Sequence, residues 1–250
     1  GFVNNSTGFC VGSYGLVMRT TNQGLNWAVM NSSIQNYLFS FSSVNNDTIY
    51  ASGSDGLIFF TSNGGLNWSS QYSGTNSSLY RMLFTSNDTG FICGSGGRIL
   101  KFNKNDGGWY PLYSGTTKNL YGMSFINSET GFIVGQTGTA LKTSNSGYNW
   151  SPQITSLNQN FRDICFPSYT TGYIVADDNN GMFLKSTDGG NSWNIKYFDI
   201  ETHSIYSVYF INEYTGWFCG LPGYIIKTTN GGDNLVRQYF PTMNVIVSIY

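Results

Sequence analysis

Thr143-Ser144-Asn145-Ser146-Gly147-Tyr148-Asn149-Trp150 is the stretch that decides the fold, because it recurs along the chain. Thr20–Trp27 (TTNQGLNW), Thr61–Trp68 (TSNGGLNW) and Ser186–Trp193 (STDGGNSW) repeat the pattern (S/T)-x-(N/D)-x-G-x-x-W. Each residue type has a local reason to be there. An Asn or Asp side chain accepts backbone N–H groups of its own turn, Gly supplies a positive φ, and Trp packs under the hairpin. Asn22, Trp27, Asn63, Trp68, Asn145, Trp150, Asp188 and Trp193 are therefore read as structural residues of a rim turn, not as catalytic ones.

Outward from the turn, the period becomes visible. The tryptophan position falls at Trp27, Trp68, Trp109, Trp150, Trp193 and, with leucine in its place, Leu235, at spacings of 41, 41, 41, 43 and 42. The third turn, Phe102–Trp109 (FNKNDGGW), is out of register. Before each turn stands an apolar run opening with Gly and an aromatic residue: Gly8-Phe9, Gly90-Phe91, Gly131-Phe132, Gly172-Tyr173 and Gly216-Trp217, with Ile49-Tyr50 in the second repeat. A further run, Leu120–Phe125 (LYGMSF), alternates Tyr121, Met123 and Phe125 with Gly122 and Ser124, the period of a strand.

Four short strands every 41 residues or so make the blade of a β-propeller, and stacked blades bury faces that one blade leaves open. The expectation is an all-β, six-bladed β-propeller of four-stranded antiparallel blades, one domain over residues 1–250. A seven-bladed ring is the alternative. The C-terminal run Val245–Tyr250 matches a first strand without its blade, and Gly1–Gly8 matches the end of such a strand. The C-terminal strand is therefore expected to join the N-terminal blade and close the ring.

Composition narrows the function. Only 10% of the residues are charged, against about 25% in typical soluble domains, and the net charge is −1. No basic field exists to hold nucleic acid. No stretch approaches the roughly 18 apolar residues of a transmembrane helix. The chain opens on Gly1 without a leader and is expected to be a mature or trimmed segment that is secreted, periplasmic or on a bacterial cell surface. Cys10, Cys93 and Cys219 lie in apolar runs and are read as buried small hydrophobes; with Cys165 and a single histidine they offer no zinc set. No cofactor or metal is expected.

The repeated turn and the G-(F/W)-x-x-G run before it resemble the Asp-box, or bacterial neuraminidase repeat, superfamily. The nearest resemblance is to the photosystem II stability and assembly factor propellers and their non-photosynthetic relatives. It covers essentially the whole chain and implies the fold more than the function. Those assembly propellers are typically seven-bladed with an arginine-rich patch, whereas the five arginines here (Arg19, Arg81, Arg98, Arg162 and Arg237) are scattered over four repeats. The related sialidases need three arginines on a carboxylate, a Tyr–Glu nucleophile and an Asp acid. With only Glu129, Glu201 and Glu213 as glutamates, and no matching arginine set, that activity is not expected.

Positions that break the repeat carry the candidate site. The aromatic column of the innermost strand runs Phe39, Tyr80, Tyr121, then Arg162, then Tyr206. An arginine in an aromatic position, beside Asp163, needs a partner or solvent. The candidate ligand surface is Arg162, Asp163, Arg81, Arg98, Asp55, Asp177, Asp178 and His203, with the last three aspartates in loops joining second and third strands. The expected function is a non-enzymatic, secreted or surface-exposed interaction module whose top-face loops take a protein or a glycan. The alternatives are a carbohydrate-binding or glycoside-processing propeller, and an assembly factor for a membrane complex.

Overall fold

A computed structural model of the chain describes residues 1–153, 156–178, 180–198, 204–238 and 244–249. Among the described residues the alternating runs form 23 short strands in six antiparallel sheets, and each sheet follows chain order or its reverse. The first sheet holds β1 (Gly8–Val11), β2 (Val17–Thr20) and β3 (Ala28–Met30). The second holds β4 (Leu38–Ser43), β5 (Ile49–Gly53), β6 (Ile58–Thr61) and β7 (Ser69–Gln71). The third runs β8 (Leu79–Phe84), β9 (Gly90–Gly94), β10 (Ile99–Asn103) and β11 (Gly108–Leu112). The fourth is β12 (Leu120–Phe125), β13 (Gly131–Gly135), β14 (Ala140–Thr143) and β15 (Ser151–Pro152). The fifth is β16 (Asn160–Cys165), β17 (Gly172–Asp177), β18 (Met182–Ser186) and β19 (Asn194–Tyr197). The sixth is β20 (Ile205–Phe210), β21 (Gly216–Gly220), β22 (Tyr224–Thr228) and β23 (Val236–Gln238). The fold is a six-bladed β-propeller.

The first sheet has three strands, and the N-terminal residues pair beside β1. The Gly1 amino group donates to Phe9 O (3.0 Å), Phe9 N–H donates to Gly1 O (2.9 Å), and Phe2 bridges to Gly8. These two residues occupy the end of the missing inner strand. The blades gather into two compact units, residues 1–119 with the first three and residues 120–250 with the other three. In the second unit Ile249 N–H donates to Ser207 Oγ (3.3 Å), with the same 42-residue offset as Met82 N–H to Ser40 Oγ in the first. The tail thus runs along β20 as one inner strand runs along another.

Burial explains why blades stack. The second strand of a blade, such as β13 or β9, is buried at every residue and so is apolar on both faces. The core lies between successive blades. Phe9 and Val17 pack with Leu38, Ile49, Ala51 and Phe59; Phe132, Val134 and Ala140 pack with Phe161, Ile174 and Leu184. A fully buried phenylalanine such as Phe132 stabilises by about 2–3 kcal/mol. Cys93 and Cys219 are buried within this layer, and burial, helped by the Asp163 charge, pushes the Cys219 thiol up to about 12. Cys10 departs from expectation and is exposed: it alternates with Phe9 and Val11 and faces away from the second blade.

Five turns share one hydrogen-bond set. In Thr61–Trp68 the Thr61 hydroxyl donates to Asn63 Oδ1 (2.9 Å) and accepts Asn63 N–H (3.3 Å) and Gly65 N–H (3.0 Å), while Asn67 N–H donates to Asn63 Oδ1 (3.0 Å). The turns at Thr20, Thr143, Ser186 and Thr228 repeat it. The glycine is required in the fifth blade, where Gly190 has φ +76° and an added Cβ would stand 2.4 Å from the Phe132 ring of the preceding blade. The out-of-register turn is a tighter hairpin, with Phe102 opposite Trp109 and Asp106 accepting Gly108 N–H.

Replacing Thr61 by Val, which is of similar volume, leaves two N–H groups without their acceptor. The expected loss is about 2 kcal/mol in urea unfolding. Asp188 supplies a pH signature. Hydrogen bonds from the Ser192 hydroxyl and N–H, then from the Ser186 hydroxyl and Asn191 N–H, hold its pKa at about 2, below the ordinary 3.8. The folded value is depressed, so this stabilisation is complete above the unfolded value and is lost as pH falls through the folded one. The stability gap between wild type and Asp188→Asn is expected to narrow from pH 5 to pH 2 in urea titrations.

Candidate functional site

The inner strands carry one irregularity in common. Each pairs with its neighbour through a register shift, between Leu38 and Ser40, Leu79 and Arg81, Leu120 and Gly122, Phe161 and Asp163, and Ile205 and Ser207. The skipped residues are Phe39, Tyr80, Tyr121, Arg162 and Tyr206. A bulge leaves its extra residue unpaired and re-aims the side chain, a device common beside functional sites. In the first unit Phe39 and Tyr80 meet at 5.5 Å between ring centroids.

In the second unit the bulges build a polar cluster. The Arg162 guanidinium lies 5.1 Å from the Tyr121 ring centroid and 5.3 Å from that of Tyr206, between the two aromatic residues. Its Nη2 is paired with Asp177, the last residue of β17, which also accepts the Ser204 hydroxyl. Burial acts to raise the Asp177 pKa, but hydrogen bonds from Ser204, Arg162 and Asn160, with the Arg162 charge, outweigh it and hold the carboxyl below its usual range. The two side chains are 26% and 25% exposed, so the pair is open to a ligand. Arg162 Nε is buried and has no hydrogen-bond partner among the described residues. One end of the guanidinium is anchored, and about a quarter of the side chain stays open to solvent.

The other sequence candidates take different places. Asp163 is only 5% exposed and faces the sixth blade. Its Oδ2 accepts the Ser207 hydroxyl (2.8 Å) and Val208 N–H (3.3 Å), and its Oδ1 accepts Ile164 N–H (2.9 Å). It is a clamp between inner strands, the role Ser40 has toward Met82, because successive residues of a strand point to opposite faces. Asp177 ends a strand rather than sitting in a loop; Asp178 follows it and its carbonyl accepts Gly181 N–H (3.1 Å). Asp55 is at the tip of the second blade's turn, Arg98 ends the third blade's turn with a buried Nε unpartnered among the described residues, and Arg81 lies on β8 opposite Cys93. His203 lies outside the described residues. Among the described residues no three His, Cys, Asp or Glu side chains gather as a metal site, and no helix is long and apolar enough to cross a membrane. Away from this cluster, a cavity of about 440 Å³ opens among Leu157, Leu184, Trp193 and Ile195.

The family model of photosynthesis system II assembly factor YCF48 matches residues 1–73, 38–103 and 145–241. The chain belongs to the YCF48 family. No curated protein matches the sequence. Among solved structures, one described as YCF48 bound to D1 peptide superposes with a TM-score of 0.78 at 16% identity, over 94% of this chain and 78% of that one. YCF48 from Cyanidioschyzon merolae gives 0.75 at 17% identity, over 95% and 83%. An ancestral GH74 enzyme gives 0.76 at 13% identity, with 95% of this YCF48-family chain aligned to 37% of that protein. At these identities the likeness shows the fold alone.

Tyr121, Tyr206, Asn160 and Ser204 complete the cluster and were not among the sequence candidates. The tyrosines were visible only as the repeat's own aromatic column; Asn160 opens β16, Ser204 precedes β20, and neither carries a pattern. Asp163→Ala is expected to cost about 3 kcal/mol in denaturant unfolding, since three donors lose a buried acceptor. Arg162-dependent binding should survive under conditions where the variant remains folded.

Proposed function

We propose that this YCF48-family propeller is a non-enzymatic interaction module that takes a peptide segment of a protein partner at the Arg162 cluster. One observation carries the reading. Among the described inner strands Arg162 alone replaces an aromatic residue at a bulge, where two tyrosines and Asp177 hold it while the side chain stays 26% exposed. A guanidinium fixed at one end is pre-organised for a carbonyl or carboxylate of an extended chain. Family membership supports an assembly role, and a relative is described as bound to a D1 peptide. A non-enzymatic reading accords with the cluster's chemistry. Asp177 is committed to Arg162 and Ser204, and Asp163 to its neighbouring strand, so neither acts as a paired acid or base.

The test is selection of random 12-residue peptides on the immobilised chain. Enriched peptides are expected to bind at least about tenfold more weakly to Arg162→Ala and to Arg162→Tyr. The tyrosine variant matches the aromatic residues of the other bulges and should keep the wild-type melting temperature within a few degrees. Selection that yields no peptide, or peptides indifferent to both variants, would sink the reading.

A further inference from the structure

Tyr14 stands where a tyrosine is costly. It is at the tip of the turn between β1 and β2, with φ 54° and ψ 39°, in the left-handed region. The same place in the next three blades holds Asp55, Gly96 and Thr137. A bulky residue is rare in that conformation, and strain kept at an exposed position points to use. The Tyr14 ring is 69% exposed and leans on Tyr37, itself 45% exposed, with centroids 5.4 Å apart and planes at 42°. A hydrogen bond to Tyr14, and then burial, raise the Tyr37 phenol's pKa.

The surroundings are built. Gly15 N–H donates to Asn36 O (2.8 Å), Ser54 N–H donates to Tyr37 O (2.8 Å), and Tyr37 N–H donates to Ser54 Oγ (3.3 Å). These bonds tie the two turn tips, Tyr14 and Asp55, to the strand entry at residues 36 and 37. Asn36 Nδ2 donates to Asp55 Oδ2 (3.0 Å) and orients the carboxylate. Asp55 is exposed, and among the described residues no cation pairs with it.

The chain itself shows what this chemistry holds. In the second unit, two tyrosines and an aspartate enclose the Arg162 guanidinium, and Arg237 stacks 3.8 Å from the Tyr224 centroid. In the first unit the same groups, Tyr14, Tyr37 and Asp55, stand without an arginine of their own. We propose that Tyr14, Tyr37 and Asp55 form a docking point for an arginine side chain of a partner polypeptide. The guanidinium plane stacks on exposed tyrosine and its charge meets the Asp55 carboxylate. This deepens the interaction-module reading and rests on it, but uses residues other than the Arg162 cluster.

The probe is a fluorescein-labelled glycine–serine heptapeptide with one central arginine, titrated into the full chain by anisotropy, beside the same peptide with neutral citrulline. The citrulline peptide is expected to bind about tenfold more weakly, and the arginine peptide to weaken as salt rises. Asp55→Asn and Tyr37→Leu should each remove the preference. Tyr14→Asn suits the left-handed turn, so it should keep or raise the melting temperature while still losing binding, which a purely structural role would not produce. Equal binding of the two peptides overturns the proposal. So does binding of cellohexaose, but not of the arginine peptide, that the same variants abolish. If the display-selected peptides still bind through Arg162 while the arginine probe does not, this inference alone falls; if neither class binds, the broader reading falls with it.

Discussion

A sheet whose second strand is apolar on both faces cannot end in water, and the other features of the chain follow from that constraint. Phe91, Ile92 and Cys93, or Phe132, Ile133 and Val134, show the condition at its strictest: neighbours on a strand point opposite ways, yet all are buried. Such a blade therefore needs a neighbour, and within each unit the clusters that mix residues of successive blades are the result. The rim turns serve the same end. Gly190 has no side chain because the preceding blade's Phe132 occupies that space.

Packing of this kind leaves the inner strands a separate task. They are short, lie close to one another, and have peptide groups that their own sheet does not use. Ser40, Ser124, Asp163 and Ser207 meet that need by accepting N–H groups of the next inner strand at Met82, Phe166, Val208 and Ile249. The side chains that face a neighbouring strand are thereby fixed in role, and Asp163, although charged, is consumed by it. The bulge residue just before it is released from pairing. That division explains why Arg162 and Asp163, adjacent in sequence, make unrelated contacts.

The architecture was legible because it is periodic. Trp27, Trp68, Trp150 and Trp193 mark turns whose hydrogen bonds are local, so short-range pattern contains the whole cause. Arg162 was legible for the complementary reason, as a break in a column of aromatic residues. What escaped depends on strand phase and on contacts far apart in sequence. Asp163 looked like a partner of Arg162 until alternation placed it on the other face. Cys10 looked buried because its run is apolar, yet its face of the first sheet turns away from the second blade. Asn160, Ser204, Tyr14 and Tyr37 belong to no motif, and only the pairing of strands 15 to 40 residues apart gives them neighbours.

Tyr14 and Arg162 mark the two kinds of position at which a propeller can change its partner without changing its fold. One is the bulge of an inner strand, where no ladder bond depends on the side chain. The other is the tip of a turn, where backbone bonds such as Ser54 N–H to Tyr37 O fix the shape and the tip residue contributes only its ring or charge. Both positions departed from the repeat in the direction of an aromatic–arginine–carboxylate set, complete in one unit and lacking its cation in the other. Repeats conserve what packing requires, so a residue that a turn or a column would not choose for its own stability is where selection for binding is most readily read.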